Sequence, residues 1–158
     1  MTGDASIQAE PGVTSRPGPD AEGWVPWVMT PSGRFHDLLG QMYFRVAANG
    51  SVETRMHTDR RHSNGLGFLH GGFLMSFVDM AMFAIIRPRL SGGAVTLSCA
   101  TDFLTAGRFG EPIEARGEIL KETGRMVFVR GLVTQAGENV CSFTGTMRKI
   151  AKPGIPVD

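Results

Sequence analysis

Residues 62–79 read HSNGLGFLHGGFLMSFVD, and the fold is decided here. A polar, glycine-containing loop passes into a long apolar run, residues 73–86, which holds one acid, Asp79. Glycines precede the run and Pro88 follows it, which predicts a helix from about Gly72 to Arg87. Because this helix is apolar nearly all round, we expect it to be buried on all sides. One twisted sheet does not cover such a helix completely, so we expect the sheet to wrap around it and a second subunit to cover the rest.

The segments on either side of this helix have the pattern of antiparallel strands. Residues 42–58, MYFRVAANGSVETRMHT, alternate around an Asn-Gly pair, which is a strong hairpin signal. Four strand candidates follow the helix, separated by turn-forming segments: residues 94–105, 111–121, 125–135 and 139–150. We predict an α+β fold in which a hairpin and a long helix precede an antiparallel meander of four strands. Apolar residues on both faces of some strands favour oligomerisation through the sheet.

The ends of the chain differ in composition from this central part. Residues 1–33 are rich in Gly, Pro, Ser, Asp and Glu, which predicts a flexible leader. Within it, WVPWVMTP at 24–31 is expected to dock on a surface. Ser32 is the expected N-cap of a short helix in SGRFHDLLG. We place the folded domain at residues 34–151 and a loop-like tail at 152–158.

Size and charge narrow the class of protein. A chain of 158 residues with 42% apolar residues fits one globular domain, and its net charge of +1 gives no basic field to attract nucleic acid or an anionic membrane. The longest apolar stretch is short of the ~20 residues that span a bilayer, and the N-terminus lacks the features of a secretory signal. We expect a cytoplasmic protein whose cysteines, Cys99 and Cys141, are reduced and buried.

The helix places its polar residues on one stripe. Gly72, Ser76 and Asp79 are spaced i, i+4 and i+7, so they share a face. At the helix start, Gly71 and Gly72 have backbone N–H groups without intrahelical partners and no side chains to keep a ligand oxygen away. The helix dipole favours negative charge at the same place. This is the physical description of an oxyanion hole, and Asp79 follows it two turns along the helix.

Each polar residue of the stretch also has a purely structural interpretation. Asp79 could be a carboxylate satisfied by backbone donors or a neighbouring arginine, His70 a capping or core histidine, and Asn64 a turn residue. Their clustering around one helix start favours a functional site. Other motifs are excluded by their spacing: there is no GxGxxG for a dinucleotide and no GxSxG elbow. The four residues His57, Asp59, His62 and His70 match no compact zinc pattern, so we expect no metal.

The stretch as a whole resembles the signature of the hotdog-fold acyl-CoA thioesterases of the phenylacetate-pathway (PaaI-like) family. That signature is an Asn, then LHGG opening a long helix, then an Asp eight residues after the first of those glycines. Asn64, LHGG at 69–72 and Asp79 occupy all of these positions, and the resemblance extends over about residues 35–150. It implies the hotdog fold, a long central helix wrapped by a curved antiparallel sheet. It also implies hydrolysis of an acyl-CoA thioester without a cofactor, coenzyme A being part of the substrate.

The resemblance implies a role for each residue around the helix start. The Gly71 N–H would polarise the thioester carbonyl with Asn64 assisting, and His70 would lie close to the thioester sulfur. Asp79 would be the general base for water, or else the nucleophile that forms a mixed anhydride. In this family the site lies across a dimer interface, so Asp79 would face the loop of a partner subunit in a homodimer or a dimer-of-dimers tetramer.

The strand after the helix and the loops beyond it complete the implied site. In the family, a hydroxyl early in that strand orients the water. Thr96 occupies this position, although a relative carries Ser there. Ser98 is the alternative. FLTAGRFGE and KETGR match segments that line the nucleotide in relatives. The implied substrate and CoA contacts are Gly72, Phe103, Thr105, Arg108, Lys121 and Arg125.

Two other functions stay open at this stage. A non-catalytic acyl-CoA or acyl-ligand binding protein of the same fold would use Asp79 as a structural residue. A hotdog hydratase or dehydratase is disfavoured because the chain has no HFPG-type loop. The acyl group is not identified, since the Phe and Met side chains of the helix suit an aryl or an aliphatic pocket equally.

Overall fold

The computed structural model describes residues 18–28 and 33–150. The elements of this part are β1 (Val25–Pro26), α1 (Phe35–Leu39), β2 (Met42–Val46), β3 (Val52–Met56), α2 (Gly71–Ile86), β4 (Gly93–Phe103), β5 (Ile113–Glu122), β6 (Met126–Gln135) and β7 (Glu138–Ile150). Short 3-10 turns lie at Arg60–His62 and Arg87–Arg89. Ser32 lies outside the described residues, so its capping role and the predicted boundaries of the leader and tail stay predictions.

The hairpin and the long helix lie where they were predicted. β2 and β3 pair antiparallel across a turn in which Gly50 has a φ of +82°, a conformation that glycine adopts without strain. α2 ends at Ile86, and the chain then passes through a 3-10 turn that contains Pro88. Both predictions are confirmed.

The strand order differs from the predicted meander. The sheet runs β1-β2-β3-β5-β6-β7-β4, so β4 pairs with β7 at one edge, whereas β5 pairs with β3 and β6. The prediction of four consecutive hairpin-linked strands is therefore wrong. The AGRFG turn lies within a longer connection, residues 104–112, that crosses the end of the sheet. Turn chemistry indicates where a strand stops, and sequential strands are often but not always neighbours.

The sheet curves around α2 and approaches it closely at glycines. A Cβ on Gly145 would overlap the Met82 side chain, and one on Gly117 would lie 2.8 Å from the Ile85 Cδ1 atom.

Among the described residues, Gly71–Arg89 is the stretch long and apolar enough to span a membrane by composition. It is the core helix of the fold, and more than half of its most apolar window is buried within the described structure.

One stripe of α2 is not covered by its own sheet. Met75 exposes 43% of its surface and Asp79, one turn later, is half-buried. The neighbouring edge strand β4 exposes the apolar side chains Val95 and Leu97. The expected burial of the helix on all sides is therefore not reached within one chain. The open stripe and the β4 edge, which exposes both apolar and polar side chains, leave a surface that a second subunit could cover.

The aromatic segment before α1 docks on the sheet, as predicted. Trp24 is buried, and its ring lies between the guanidinium groups of Arg45 and Arg55, each 4.3 Å from the ring centre. β1 follows at once and pairs with β2 at the edge opposite β4. The segment therefore packs on the sheet edge farthest from β4.

Candidate active site

The start of α2 presents a free backbone donor at Gly71. His70 is the N-cap, and its Nδ1 accepts a hydrogen bond from the Gly72 N–H at 2.9 Å. The Gly71 N–H donates to none of the described residues. The Phe103 ring covers Gly71, with its Cζ atom 3.2 Å from the place of a Cβ. Of the two predicted donors, Gly71 is therefore free to bind an oxyanion, while the Gly72 N–H is already used by His70.

The cap also fixes the tautomer of His70. Because Nδ1 accepts a hydrogen bond from a backbone N–H, it carries no proton, and the proton of the neutral ring is on Nε2. His70 is exposed, and its Nε2–H bonds to none of the described residues. The capping role and a ligand-binding role of His70 are therefore compatible, because they use different ring nitrogens.

Asn64 organises the loop before α2. Its Oδ1 accepts hydrogen bonds from the N–H groups of Leu66 and Phe68 at 2.9 and 3.1 Å, which is the turn role considered above. Its Nδ2 donates to none of the described residues and stays available to a ligand. A cavity of about 370 Å³ beside this loop brings together four predicted site residues, Asn64, Gly71, Phe103 and Thr105.

Asp79 is held by Thr96. The Thr96 Oγ1 donates a hydrogen bond to the Asp79 Oδ1 at 2.7 Å and joins the open stripe of α2 to β4. Among the described residues, no arginine or lysine forms an ion pair with Asp79, so no such pair supports the interpretation of a salt-bridged structural carboxylate. Ser98, the alternative hydroxyl, is exposed and makes no hydrogen bond to Asp79.

The free donor and the carboxylate lie at different levels of α2. Eight residues separate Gly71 from Asp79, which corresponds to a rise of ~12 Å along the helix. Gly71 lies against the Phe103 end of β4, whereas Asp79 lies against the Thr96 end. One chain therefore holds two separate groups of candidate site residues. We call them the donor half, Gly71 with His70, and the carboxylate half, Asp79 with Thr96.

The predicted CoA contacts divide in the same way. The connection that carries Arg108 is hydrogen-bonded to the Val140 carbonyl, at the donor end of β7. The Arg125 carbonyl accepts a hydrogen bond from the Lys149 N–H at the other end of β7, ~30 Å away along the strand. Lys121 lies near Arg125 in the β5–β6 hairpin. One chain therefore does not bring Arg108 together with Lys121 and Arg125.

Known proteins resemble this chain in sequence and in fold. A family model described as the thioesterase superfamily matches residues 66–142. Acyl-coenzyme A thioesterase 13 from Homo sapiens is 27% identical over 101 residues, which cover 63% of this chain and 72% of the human protein. A mutant of the phenylacetic acid degradation protein PaaI from Thermus thermophilus is 30% identical, with a TM-score of 0.65, over 73% of this chain and 98% of that one. The chain belongs to the PaaI-like thioesterases of this superfamily.

The family assignment confirms the predicted fold and enzyme class. As a PaaI-like thioesterase, the chain has the hotdog fold and is a thioester hydrolase. The structure of smu.793 from Streptococcus mutans UA159, bound to acetyl CoA, shares this fold. It is 24% identical, with a TM-score of 0.60, over 65% of this chain and 83% of that one.

The cysteines of this PaaI-like thioesterase do not supply a nucleophile. Burial, together with the charge of Asp79, raises the pKa of the Cys99 thiol. Burial also raises the pKa of Cys141, to about 11. Both thiols are free, as predicted, but only Cys141 is buried, and the predicted burial of Cys99 is wrong because this residue is partly exposed on the edge strand β4. Both thiols stay protonated at neutral pH, whereas thioester attack needs a thiolate.

Several buried polar residues, for which the sequence predicts no structural role, hold the loops around the site. His62 is buried, with Nδ1 accepting from the Asp59 N–H and Nε2 bonded to the Leu39 carbonyl, so neither nitrogen is free for a metal. Among the described residues, no cluster of three or more His, Cys, Asp or Glu could hold a metal ion. Thr58 and Gln135 are also buried and bond the backbone of the connection at 104–112. Strand alternation could have predicted the burial of Gln135, because it lies two residues after Val133 and therefore on the same, interior face of β6.

Proposed function

We propose that this chain hydrolyses acyl-CoA thioesters at a site formed by two subunits. The observation that carries the proposal is the division of the site, because the donor half and the carboxylate half lie toward opposite ends of the edge strand β4. When β4 pairs antiparallel with β4 of a second copy, the Thr96 end of each strand lies beside the Phe103 end of the other. Two-fold pairing then completes two identical sites.

In each site, Asp79 of one subunit takes a proton from water while the water oxygen attacks the carbonyl carbon of the thioester. The Thr96 hydroxyl occupies Oδ1, which leaves Oδ2 for the water. The oxyanion of the tetrahedral intermediate accepts a hydrogen bond from the Gly71 N–H of the other subunit, at the positive end of α2. The C–S bond then breaks, and the CoA thiolate takes the proton from Asp79 or from solvent. Attack by Asp79 itself, through a mixed anhydride, would use the same groups.

The same pairing reunites the residues proposed to bind CoA. Lys121 and Arg125 lie at the carboxylate end of one subunit and therefore come near Arg108 at the donor end of the other. Three cations suit the phosphates of CoA, and Phe103 and Thr105 line the cavity beside Gly71. The printed name of the human relative, an acyl-coenzyme A thioesterase, supports the substrate class. The reaction requires no cofactor because a carboxylate activates the water.

We also propose that two such dimers associate into a tetramer and that the protein acts in the cytoplasm. The outer face of the sheet carries exposed apolar side chains, Leu120 and Phe128, which suit a second contact between copies. Sedimentation of the purified protein and fractionation of cells test these two statements separately.

The first test is release of CoA thiol from a panel of aryl and aliphatic acyl-CoAs by the wild type and by Asp79→Ala. We expect activity on at least one class and a fall in kcat of about 10²- to 10⁴-fold in the variant, since general-base catalysis is lost. Wild-type protein that binds acyl-CoA but releases no thiol from any of them is a non-catalytic binding protein, and the proposal is then wrong.

The second test is complementation between subunits, for which Gly71→Pro is the matched variant. Gly71 is the first helical residue and its N–H is unbonded, so proline deletes the donor without breaking a helix bond. The preceding His70 has φ −70° and ψ 134°, which a following proline tolerates. We expect a kcat loss of about 10²- to 10³-fold in this variant.

Mixing the two inactive variants then distinguishes a shared site from a site within one chain. A mixed dimer combines the intact Gly71 of the Asp79→Ala chain with the intact Asp79 of the Gly71→Pro chain, so an equal mixture regains about a quarter of the wild-type activity. Homodimers of either variant serve as controls. No recovery, in a mixture shown by mass spectrometry to contain mixed dimers, contradicts the shared site.

A further inference from the structure

Gln135 is a buried amide whose hydrogen bonds all go to one loop. It is 8% exposed and ends β6. Its Oε1 accepts from the Arg108 N–H at 2.7 Å, and its Nε2 donates to the Arg108 carbonyl at 2.7 Å and to the Glu111 carbonyl at 3.2 Å. A glutamine that clamps both sides of one residue fixes the position and the orientation of that peptide segment.

The clamped segment is bonded in turn to the residues just before the free donor. The Leu69 N–H donates to the Gly107 carbonyl at 2.8 Å, and Phe68 pairs with Arg108 as an antiparallel bridge. Gly107 is buried against Leu69, so that a Cβ on it would lie 2.8 Å from the Leu69 Cδ1 atom. Leu69 is two residues from Gly71. A displacement of the 107–108 backbone therefore reaches the start of α2 through the Leu69–Gly107 hydrogen bond and two residues of chain.

We infer that Gln135 is a positioning residue for the Gly71 N–H, acting through the Arg108–Gly107–Leu69 contacts. The inference rests on the proposed function in so far as the Gly71 N–H is the donor to the oxyanion. A donor acts in the transition state through its exact placement, and a misplacement of about 1 Å can cost up to 10²-fold in rate. Removing the Gln135 amide should therefore lower kcat and leave substrate binding nearly unchanged.

Thr58 provides a matched control in the same loop. It is also buried, its Oγ1 donates to the Glu111 carbonyl at 2.6 Å, and its carbonyl accepts from the Gly110 N–H. These contacts hold the far end of the connection, beyond the residues that touch Phe68 and Leu69. Thr58→Val thus loosens the loop without reaching the Gly107–Leu69 hydrogen bond.

The kinetic test compares Gln135→Met with Thr58→Val on two substrates, an acyl-CoA and the N-acetylcysteamine thioester of the same acid, which lacks the nucleotide phosphates. For Gln135→Met we expect kcat to fall about tenfold on both substrates with KM within about twofold, and for Thr58→Val a kcat within about twofold of wild type. Equal kcat losses in the two variants overturn the inference, because they indicate general loosening. A rise in KM restricted to the acyl-CoA also overturns it, because Gln135 then serves Arg108.

Two further measurements keep the inference testable if Gln135→Met does not fold or if the wild type hydrolyses no thioester. Gly107→Ala pushes on Leu69 directly and should give the same kcat loss. Amide hydrogen exchange without substrate should rise in the peptide that spans residues 68–72 in Gln135→Met or Gly107→Ala, but not in Thr58→Val. Unchanged exchange in this peptide overturns the inference, whereas a wild type without hydrolysis but with the expected exchange contradicts the proposed function alone.

Discussion

At the scale of single residues, Asp79 is the unusual feature of the chain, and its environment explains it. A carboxylate in the middle of an apolar helix is costly when it is buried without partners. Here the residue is half-buried on the open stripe and accepts one hydrogen bond, from Thr96. The remaining carboxylate oxygen bonds to none of the described residues. Asp79 is thus oriented by one hydrogen bond and forms no ion pair with the described residues, an arrangement that suits the proposed general base.

The role of the hydroxyl can be tested with Thr96→Val, which keeps the shape of the side chain. We expect kcat to fall about tenfold with KM unchanged, because the carboxylate loses the bond that orients it toward water. Ser98→Ala is the control, since the Ser98 hydroxyl makes no hydrogen bond to Asp79 and its loss should leave kcat unchanged. Steady-state kinetics of the two variants and of Thr96→Ser, which should recover most of the activity, decide the question. A large loss in Ser98→Ala with an active Thr96→Val would assign the role to Ser98 instead.

The residues of the site differ in how far the sequence alone predicts them. The turn role of Asn64 and the capping role of His70 follow from local spacing, and the structure shows both. The choice of Thr96 over Ser98 rests on a resemblance, because the two residues are two positions apart on β4 and strand alternation alone does not indicate which of them meets α2. Gln135 was missed because a glutamine at a strand end usually faces solvent, and its burial depends on a loop from elsewhere in the chain.

At the scale of elements, glycines in the sheet permit its close contact with itself and with α2. Gly131 in β6 lies opposite Gly117 in β5. A Cβ on Gly131 would overlap both the Arg116 carbonyl oxygen of the neighbouring strand and the ring of Phe143. These contacts involve backbone and a buried ring, so they cannot be relieved by turning an exposed side chain.

We therefore predict that Gly131→Ala lowers the free energy of unfolding by about 1–3 kcal/mol, the usual cost of overpacking a core. Gly124→Ala is the matched control, because no atom lies within 4 Å of its Cβ position and its φ is not positive. We expect the control to change stability by less than about 0.5 kcal/mol. Urea unfolding followed by circular dichroism measures both. Equal stabilities for the two variants would show that the sheet relaxes freely at Gly131.

The elements themselves were largely predictable, but their arrangement was not. α2 and the β2–β3 hairpin are marked by local signals, an apolar run bounded by glycines and proline, and an Asn-Gly turn. The position of β4 beside β7 is a long-range property, because both strands offer a similar apolar pattern to any neighbour. The turn motif after β4 favours a hairpin with β5. In the structure, β4 pairs with β7 instead.

At the scale of the whole molecule, one chain does not bring the candidate site residues together. The donor half and the carboxylate half are ~12 Å apart along α2, and the CoA contacts divide between the same two ends. The surface between the halves includes an edge strand of eleven residues, β4, which exposes Val95 and Leu97. An edge of that length with exposed apolar side chains invites pairing with another chain. Assembly and activity should therefore be lost together.

This coupling can be tested by placing a charge on the edge with Leu97→Lys. Leu97 is 54% exposed on β4, and a lysine there would be buried against the second copy, so we expect dimers to dissociate and specific activity to fall at least tenfold. Activity should recover at high protein concentration, because mass action restores the dimer. Leu120→Lys is the control, since Leu120 is similarly exposed, at 51%, but lies on β5 in the proposed contact between dimers, so this variant should give dimers that keep their activity. Analytical ultracentrifugation and thiol release over the same concentration range provide the comparison. A monomeric Leu97→Lys protein with full activity would place a complete site in one chain, which the ~12 Å between Gly71 and Asp79 argues against.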